Sequence, residues 1–430
     1  MKKTICVAVL LILFSPIISH AGTYTLSEFV DMVEANSREL KIAEKEIEKA
    51  SAQKKQALSS ALPNISAQAG YNRYLSDAYM YINMGEGTQK MRINRTNEYE
   101  MNVGLRQTLF NLNVLNAIKV SGQYQRMIDY TYESNHLAII TNARKGFYQA
   151  LLLKTIWEVT EKSQQNAYDN YLDVQKKYNT GLVSEFNLLQ AEARWKDMIP
   201  HVSQAKMNYD LALISLKNLA GIPPEEEIEL QGSLEEYPDM PSNVEFHTIL
   251  EDRPDYNALI WQKKLMKTNI NAERSGYFPS LSGNLVYSFT SQSDEWAFDD
   301  KNEIWIAGLT LSIPIFMGGG TRAKVKQATV EYQQTELDID RTEDEIFKEI
   351  QSIRLRLNEA SERINSARAS MNTAEKAFRI AEVSARNGLA TQLELKDARV
   401  VLDQAQVNYY SSIYQYLDAY FDWQNAIGGE

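Results

Sequence analysis

The stretch YFPSLSGNLVYSF, residues 277–289, alternates apolar and polar side chains within a chain whose pattern is otherwise largely helical. This period of two residues predicts a β-strand with one apolar face. That face carries Leu281, Gly283, Leu285, Tyr287 and Phe289, whereas the opposite face carries Ser282, Asn284 and Ser288. The earlier stretch LPNISAQAGY, residues 62–71, matches it at a constant offset of 216, with Pro63, Ser66 and Tyr71 aligned to Pro279, Ser282 and Tyr287. The strand therefore occurs twice, which indicates an internal duplication.

The later part of each copy repeats as well, at a constant offset of 207 residues. KKYNTGLVSEFNLLQAEARW (176–195) aligns with SARNGLATQLELKDARVVL (384–402), and matches continue to Gly221 and Gly428. In each copy the predicted order of elements is a helix, a strand, a loop, a second strand, a long helix, a Gly-Leu turn and a return helix. We predict a first repeat over 22–221, with strands near 62–75 and 98–110, and a second over 244–430, with strands near 279–290 and 303–315. Residues 222–243, rich in proline and acid, form an irregular linker in this prediction.

Long helices dominate the predicted structure. Residues 321–387 contain neither proline nor glycine, and a single helix of that length would extend about 100 Å. Apolar residues recur at seven-residue steps, namely Val325, Tyr332, Ile339, Ile346, Ile353, Ala360, Ala367, Ala374 and Ala381, with a companion series at Ile350, Leu357, Ile364, Met371 and Phe378. Such heptads require partner helices in a left-handed supercoil. A similar long helix is predicted over 112–177, and shorter ones over 24–60, 184–220, 244–275 and 391–427.

The N-terminus has the pattern of a secretory signal peptide. Lys2 and Lys3 precede an apolar run, and Ser19-His20-Ala21 is a cleavage site, so residues 1–21 are predicted to be removed. The sole cysteine, Cys6, lies inside this segment, which argues against lipidation of the mature N-terminus and against any disulfide. The net charge of −11 argues against nucleic acid as a partner.

The strands leave two architectures open. Loops 76–98 and 290–303 are polar, and aromatic residues near the strand ends resemble an interfacial girdle, namely Tyr74, Tyr79, Tyr81, Trp296, Phe298 and Trp305. One architecture is a four-stranded sheet packed on soluble helices. The other is a membrane barrel, for which four strands are too few, since about eight is the minimum. Several chains would then contribute strands to one barrel.

The order of these features, in duplicate, resembles the TolC-like outer-membrane efflux proteins. The resemblance rests on the duplicated plan, the two Gly-Leu turns, DRPDY at 252–256, and the strand exits QTLF (107–110) and IPIFMGGG (313–320). It implies a mainly α fold with a membrane β-barrel: a homotrimer with one twelve-stranded barrel and a long coiled-coil tunnel of α-helices. The linker 222–243 would then lie in the equatorial region of the tunnel. The apolar strand face would contact outer-membrane lipid.

The same resemblance implies a function. The chain would be the passive exit duct of a tripartite efflux or type I secretion system in the outer membrane of a Gram-negative bacterium, with a large periplasmic portion. Its partners would be a periplasmic adaptor and an inner-membrane pump of the RND, ABC or MFS type, and it would need no cofactor or metal. The resemblance assigns adaptor docking to the turn residues Gly181, Leu182, Gly388 and Leu389.

A gate is implied near the second turn. Glu394 and Asp397 are three residues apart, so they share one helix face, and the resemblance places them at the periplasmic constriction. Threefold symmetry would gather six such carboxylates, which raise one another's pKa and attract cations. The first copy has Asn187 and Gln190 at the equivalent sites.

Ala385 and Ala390 replace a tyrosine and an arginine that serve as gate latches in well-known family members, so the closed state is expected to be held differently.

Two other classes of function are weaker. An enzyme is disfavoured because the three histidines beyond residue 21, His136, His201 and His247, have no metal-ligand spacing, and no nucleophile-elbow or phosphate-loop motif occurs. The glycines 318–320 fit a strand-to-helix exit. The alternative of a soluble periplasmic coiled-coil scaffold explains the heptads but leaves the strands unexplained.

Overall fold

A computed structural model of the protein describes residues 22–83, 85 and 87–429. The predicted signal peptide, residues 1–21, lies outside the described residues. The chain forms two compact units. The first comprises residues 22–42, 135–245 and 347–429, and the second lies within residues 43–134 and 246–346.

Helices account for most of the described chain, which confirms the mainly α prediction. They are α1 (Leu26–Asn36), α2 (Arg38–Ser59), α3 (Leu112–Asn179), α4 (Glu185–Leu219), α5 (Phe246–Asp252), α6 (Pro254–Arg274), α7 (Gly320–Arg386) and α8 (Gln392–Ala426). The strands are β1 (Gly22–Tyr24), β2 (Asn64–Arg73), β3 (Tyr79–Asn83), β4 (Thr88–Arg92), β5 (Asn97–Phe110), β6 (Ile228–Leu230), β7 (Ser280–Ser293) and β8 (Asp300–Ser312).

Two expected helices are each interrupted. The expected helix over 24–60 is wrong, because Ser37 separates α1 from α2 with an extended ψ of 129°. The Ser37 N–H closes α1 by donating to Val33 O at 2.8 Å, and its carbonyl opens α2 by accepting from the Lys41 N–H at 3.2 Å, so Ser37 caps both helices. Its hydroxyl donates to Glu39 Oε2 at 3.0 Å. The expected helix over 244–275 breaks at Arg253, whose ψ is 117°. Pro254 follows it, and a proline disfavours helical geometry in the preceding residue.

The second unit is built on a four-stranded antiparallel sheet with the order β2-β5-β7-β8. Its register puts the apolar residues of all four strands on one face; Ala67, Val103, Tyr287 and Trp305, for example, lie side by side across the sheet. The opposite face is mostly polar and carries Gln68, Asn102, Ser288 and Ile304 along the next row. Within the described residues of one chain, β2 and β8 each have an edge that pairs with no other strand.

Two smaller strand pairs were not predicted. The loop 76–98 folds back as an antiparallel hairpin of β3 and β4. The linker 222–243 is not wholly irregular, as had been expected, because its strand β6 pairs in parallel with β1. The backbone groups of Ile228 and Leu230 bond in a ladder there, and both side chains are buried.

The heptad residues of α7 form a buried seam. None of the nine residues in the main series is exposed, and Ile353 and Ala360 are almost fully buried. In the first unit, the later end of this seam packs on α8, where Ala374 contacts Leu402 and Ala405. Small side chains at this contact permit close approach of the two helices.

Candidate functional site

The two Gly-Leu turns are built alike. Gly181 and Gly388 have φ of 73° and 75°, a left-handed conformation that glycine adopts without steric cost. In each turn the leucine N–H donates back to a helix carbonyl, from Leu182 to Lys177 O at 2.9 Å and from Leu389 to Ser384 O at 2.8 Å. This is a Schellman-type helix end. It leaves both leucine side chains projecting outward, with exposed fractions of 75% and 83%.

The two turns lie at the same end of the first unit. Lys177, at the end of α3, donates its ammonium to the carbonyl of Arg386 at 3.3 Å. Asn170 of α3 donates its amide to Gln392 Oε1 of α8 at 2.7 Å. These contacts tie the hairpin of α3 and α4 to the hairpin of α7 and α8, and the sequence analysis missed them. They join residues more than 200 positions apart, so no local pattern marks them.

Each return helix begins with a side-chain cap. The Ser184 hydroxyl accepts from the Asn187 N–H at 3.4 Å, and the Thr391 hydroxyl accepts from the Glu394 N–H at 3.2 Å. At the second cap the Glu394 carboxylate also accepts from the Thr391 N–H at 2.7 Å, which completes a capping box. The sequence TQLE, residues 391–394, carries the signature of this box, and the sequence analysis did not use it.

Both proposed gate residues are exposed on α8 and lie on the flank beside Leu402 and Ala405. Hydrogen bonds from the Thr391 backbone and hydroxyl hold the pKa of Glu394 below its ordinary value. The Glu394 carboxylate is therefore ionised and fixed at the positive end of the α8 dipole. At the candidate latch positions, Ala385 is buried and Ala390 is half-buried.

A buried polar cluster lies about two turns farther along α8. Arg399 donates its Nε–H to Ser163 Oγ of α3 at 3.3 Å, and Ser163 donates its hydroxyl to Asp403 Oδ2 at 2.6 Å. Asp403 Oδ1 lies 2.8 Å from Arg399 Nε as the counter-ion. Only 7% of Arg399 is exposed. The sequence analysis missed this cluster, although an arginine and an aspartate four residues apart on a helix often pair.

Of the aromatic residues expected near strand ends, Tyr74, Trp296 and Phe298 lie just beyond the ends of β2 and β7, whereas Tyr79 and Tyr81 lie within β3 and Trp305 lies in the middle of β8. Tyr71 stacks on Trp296 with 5.2 Å between ring centroids, and Tyr99 contacts Phe298 at 4.7 Å. Trp305 contacts Tyr287 at 5.0 Å on the apolar face of the sheet.

Charged groups join the β3–β4 hairpin to the β7–β8 connection. Asp294 accepts from the Thr96 N–H at 2.9 Å and pairs with Arg92 and Arg95 at 2.9 and 3.1 Å. The Thr96 bonds and the two arginines lower the pKa of Asp294 to about 2. This connection therefore keeps its charge network at any physiological pH.

Two classes of feature do not occur in the described part of the chain. None of its helices is long and apolar enough to cross a membrane. None of its clusters of histidine, aspartate and glutamate brings three or more groups together in a way that could hold a metal ion.

Comparisons with known proteins give consistent matches. A family model described as outer membrane efflux protein matches residues 29–222 and 246–429. Outer membrane protein TolC of Salmonella enteritidis is 22% identical over 338 residues, covering 73% of this chain and 65% of TolC. Alkaline protease secretion protein AprF of Pseudomonas aeruginosa is 22% identical over 250 residues, covering 56% of this chain and 51% of AprF. The chain thus spans less than two thirds of either relative.

The fold also matches solved structures. The crystal structure of the Campylobacter jejuni CmeC outer membrane channel superposes with a TM-score of 0.79 at 22% identity. The match covers 94% of this chain and 85% of the CmeC chain. At this level of identity the likeness establishes the fold of the chain.

Proposed function

Since this chain belongs to the outer membrane efflux protein family, we propose that it forms the outer-membrane exit duct of a tripartite efflux or type I secretion system. The duct is passive, and an inner-membrane pump supplies the energy. The comparisons support both efflux and type I secretion as candidates, because the family model is named for efflux and the relative AprF is named for protease secretion.

The observation that carries the proposal is the sheet of the second unit. Its apolar face is exposed, with Leu309 at 73% and Trp305 at 68%. Exposed apolar surface of this kind needs lipid or protein against it. The edges of β2 and β8 are long and unpaired, and such edges pair with another chain unless they are protected. Both requirements are met if three copies close one twelve-stranded barrel in the outer membrane, with the apolar face toward lipid.

The helical hairpins supply the rest of the duct in this proposal. The turns that contain Gly181 and Gly388 are the surface for a periplasmic adaptor, because their exposed leucines and open glycines allow close backbone approach. The adaptor would connect the duct to an inner-membrane pump of the RND, ABC or MFS type. The acidic pair Glu394 and Asp397 forms a gate ring at the same end.

We propose that different residues hold this gate closed from the tyrosine and the arginine that do so in well-known family members. Ala385 and Ala390 have no polar side-chain atoms to form a latch. The contacts from Asn170 to Gln392 and from Lys177 to the Arg386 carbonyl connect the two hairpins and serve in their place.

A soluble coiled-coil scaffold accounts for less. It would use the buried heptad seam of α7, but it leaves the exposed apolar face of the sheet and its two free edges without a role.

Conductance in planar lipid bilayers tests the proposed function. Protein extracted in detergent from outer membranes should insert and add discrete ion-conducting steps. A barrel that spans the bilayer conducts even when its periplasmic end is narrow, so small steps are expected. Bilayers that contain inserted protein, detected by antibody to a loop tag, and show no steps would contradict the duct.

A further inference from the structure

A cleft of about 460 Å³ lies between the two helical hairpins of the first unit, and its wall extends to Arg386 and Gln392 beside the second Gly-Leu turn. All four long helices line it, and the residues that matter below are Ala167, Phe378, Leu395, Lys396 and Arg399. Its size is within the range of pockets that hold small organic ligands.

Arg399 is the buried charge of this cleft. Its Nε is engaged by Ser163 and by the Asp403 counter-ion, and its guanidinium carbon lies 5.1 Å from the centre of the Phe378 ring. Nη2 is enclosed and has no hydrogen-bond acceptor among the described residues. A buried donor on a charged group without an acceptor is costly. An acceptor brought into the cleft by a ligand would remove that cost.

We infer that this cleft binds a small organic anion, specifically a carboxylate carried on an apolar body. The carboxylate would accept from the outer edge of the Arg399 guanidinium, since charge-assisted bonds of this type are the strong ones. The apolar body would lie against Phe378, Leu395 and Ala167.

The other charges of the cleft are compatible with an anion. Two of its three acidic lining residues already have cationic partners, Glu382 with Arg386 at 3.0 Å and Asp173 with Lys177 at 3.0 Å. The third, Asp169, accepts a hydrogen bond from the Gln165 amide at 3.0 Å. Lys396 adds a further positive charge to the lining. The cleft lining thus carries four cationic side chains, Arg194, Arg386, Lys396 and Arg399, against three acidic ones.

The first copy of the repeat provides a matched control. At the offset of 207, Arg399 and Asp403 correspond to Glu192 and Lys196, so the ion pair is reversed in sign. The first-copy pair is on the surface, with its side chains 31% and 60% exposed, whereas those of Arg399 and Asp403 are 9% and 22% exposed. A binding site for an anion is thus expected only in the second copy.

Isothermal titration calorimetry on the full-length mature protein in detergent tests the inference, with 1-naphthoate as the probe and neutral 1-naphthamide as its isostere. Naphthoate should bind and naphthamide should not. Arg399→Lys keeps the positive charge beside Asp403 but removes the planar guanidinium, which can bind a carboxylate through two N–H groups. We therefore expect the affinity for naphthoate to fall by about tenfold or more. Ala167→Phe reduces the volume of the cleft while the Arg399 side chain itself is kept, and it should abolish binding. Glu192→Gln should leave it unchanged.

Three results would overturn the inference: no binding of naphthoate to the unmodified protein, equal binding of naphthamide, or unchanged affinity in Ala167→Phe. The last variant keeps the test valid even if Arg399→Lys fails to fold. Because binding is measured on purified protein, its failure would not bear on the duct, and a failure of the duct would not bear on it.

Discussion

Glu394 carries two roles that a single substitution would confound. Its carboxylate caps α8 through Thr391, and we propose that it also lines the gate. The hydrogen bonds that lower its pKa keep it negative, so a ring of such groups attracts cations. Asn187 occupies the equivalent position in the first copy and has no charge.

The gate prediction concerns the pair of acids. Glu394→Ala with Asp397→Ala should reduce cation selectivity, measured as reversal potential across a salt gradient in planar bilayers, and should weaken block by divalent or trivalent cations. Glu394→Gln with Asp397→Asn should have the same effect, because the amide oxygen can still accept the cap bonds while the charge is lost. Asn187→Ala with Gln190→Ala is the matched control. Unchanged selectivity and block in the double alanine variant would remove both acids from the pore lining.

The docking prediction concerns Gly388. A side chain built there would meet no atom within 4 Å, but its φ of 75° strains any other residue by about 1–2 kcal/mol. Gly388→Arg should abolish export by blocking the adaptor while trimers persist on unheated gels. Gly388→Ala carries the same backbone strain without bulk and should retain export. If Gly388→Arg instead loses the trimer, the glycine serves only local geometry.

At the scale of elements, β8 offers a direct test of which sheet face meets lipid. Leu309 and Thr310 are neighbours on opposite faces, and both are exposed in one chain. Leu309→Lys should cost up to about 2–4 kcal/mol, the value for a lysine at the bilayer midplane, and should reduce the amount of heat-modifiable trimer in outer membranes. Thr310→Lys faces the interior of the barrel and should assemble nearly normally. Equal assembly of both variants would contradict the assignment of faces.

Periodicity predicted the long elements well, because their patterns are local. The alternation around Leu285 predicted β7, and the heptads from Val325 predicted α7 to within one residue at each end. The break at Pro254 could have been predicted from the rule for residues before proline. The break at Ser37 could not, since serine occurs inside helices as well as at their ends.

The site was predictable only in its local parts. The Gly-Leu turns follow from sequence, because glycine adopts their left-handed backbone angles without strain. The capping box at Thr391 could have been predicted from the sequence TQLE, residues 391–394, but it was not. In the cluster of Ser163, Arg399 and Asp403, only the pairing of Arg399 with Asp403 could have been predicted from the sequence. Ser163 reaches the other two residues only because α3 packs on α8.

At the scale of the whole molecule, a single chain leaves surfaces that we propose are covered only in the assembled, membrane-inserted protein. The free edges of β2 and β8 and the exposed apolar face require neighbouring copies and lipid. In the proposed trimer, the threefold axis would bring the gate residues of all copies together. The trimer is therefore the claim on which the duct, the gate and the docking surface all depend.

Native mass spectrometry of the mature protein extracted from outer membranes tests that claim most directly. We expect release only with detergent, and a complex of three chains that dissociates on heating. A stable monomer in buffer without detergent would contradict the barrel and, with it, the proposed exit duct.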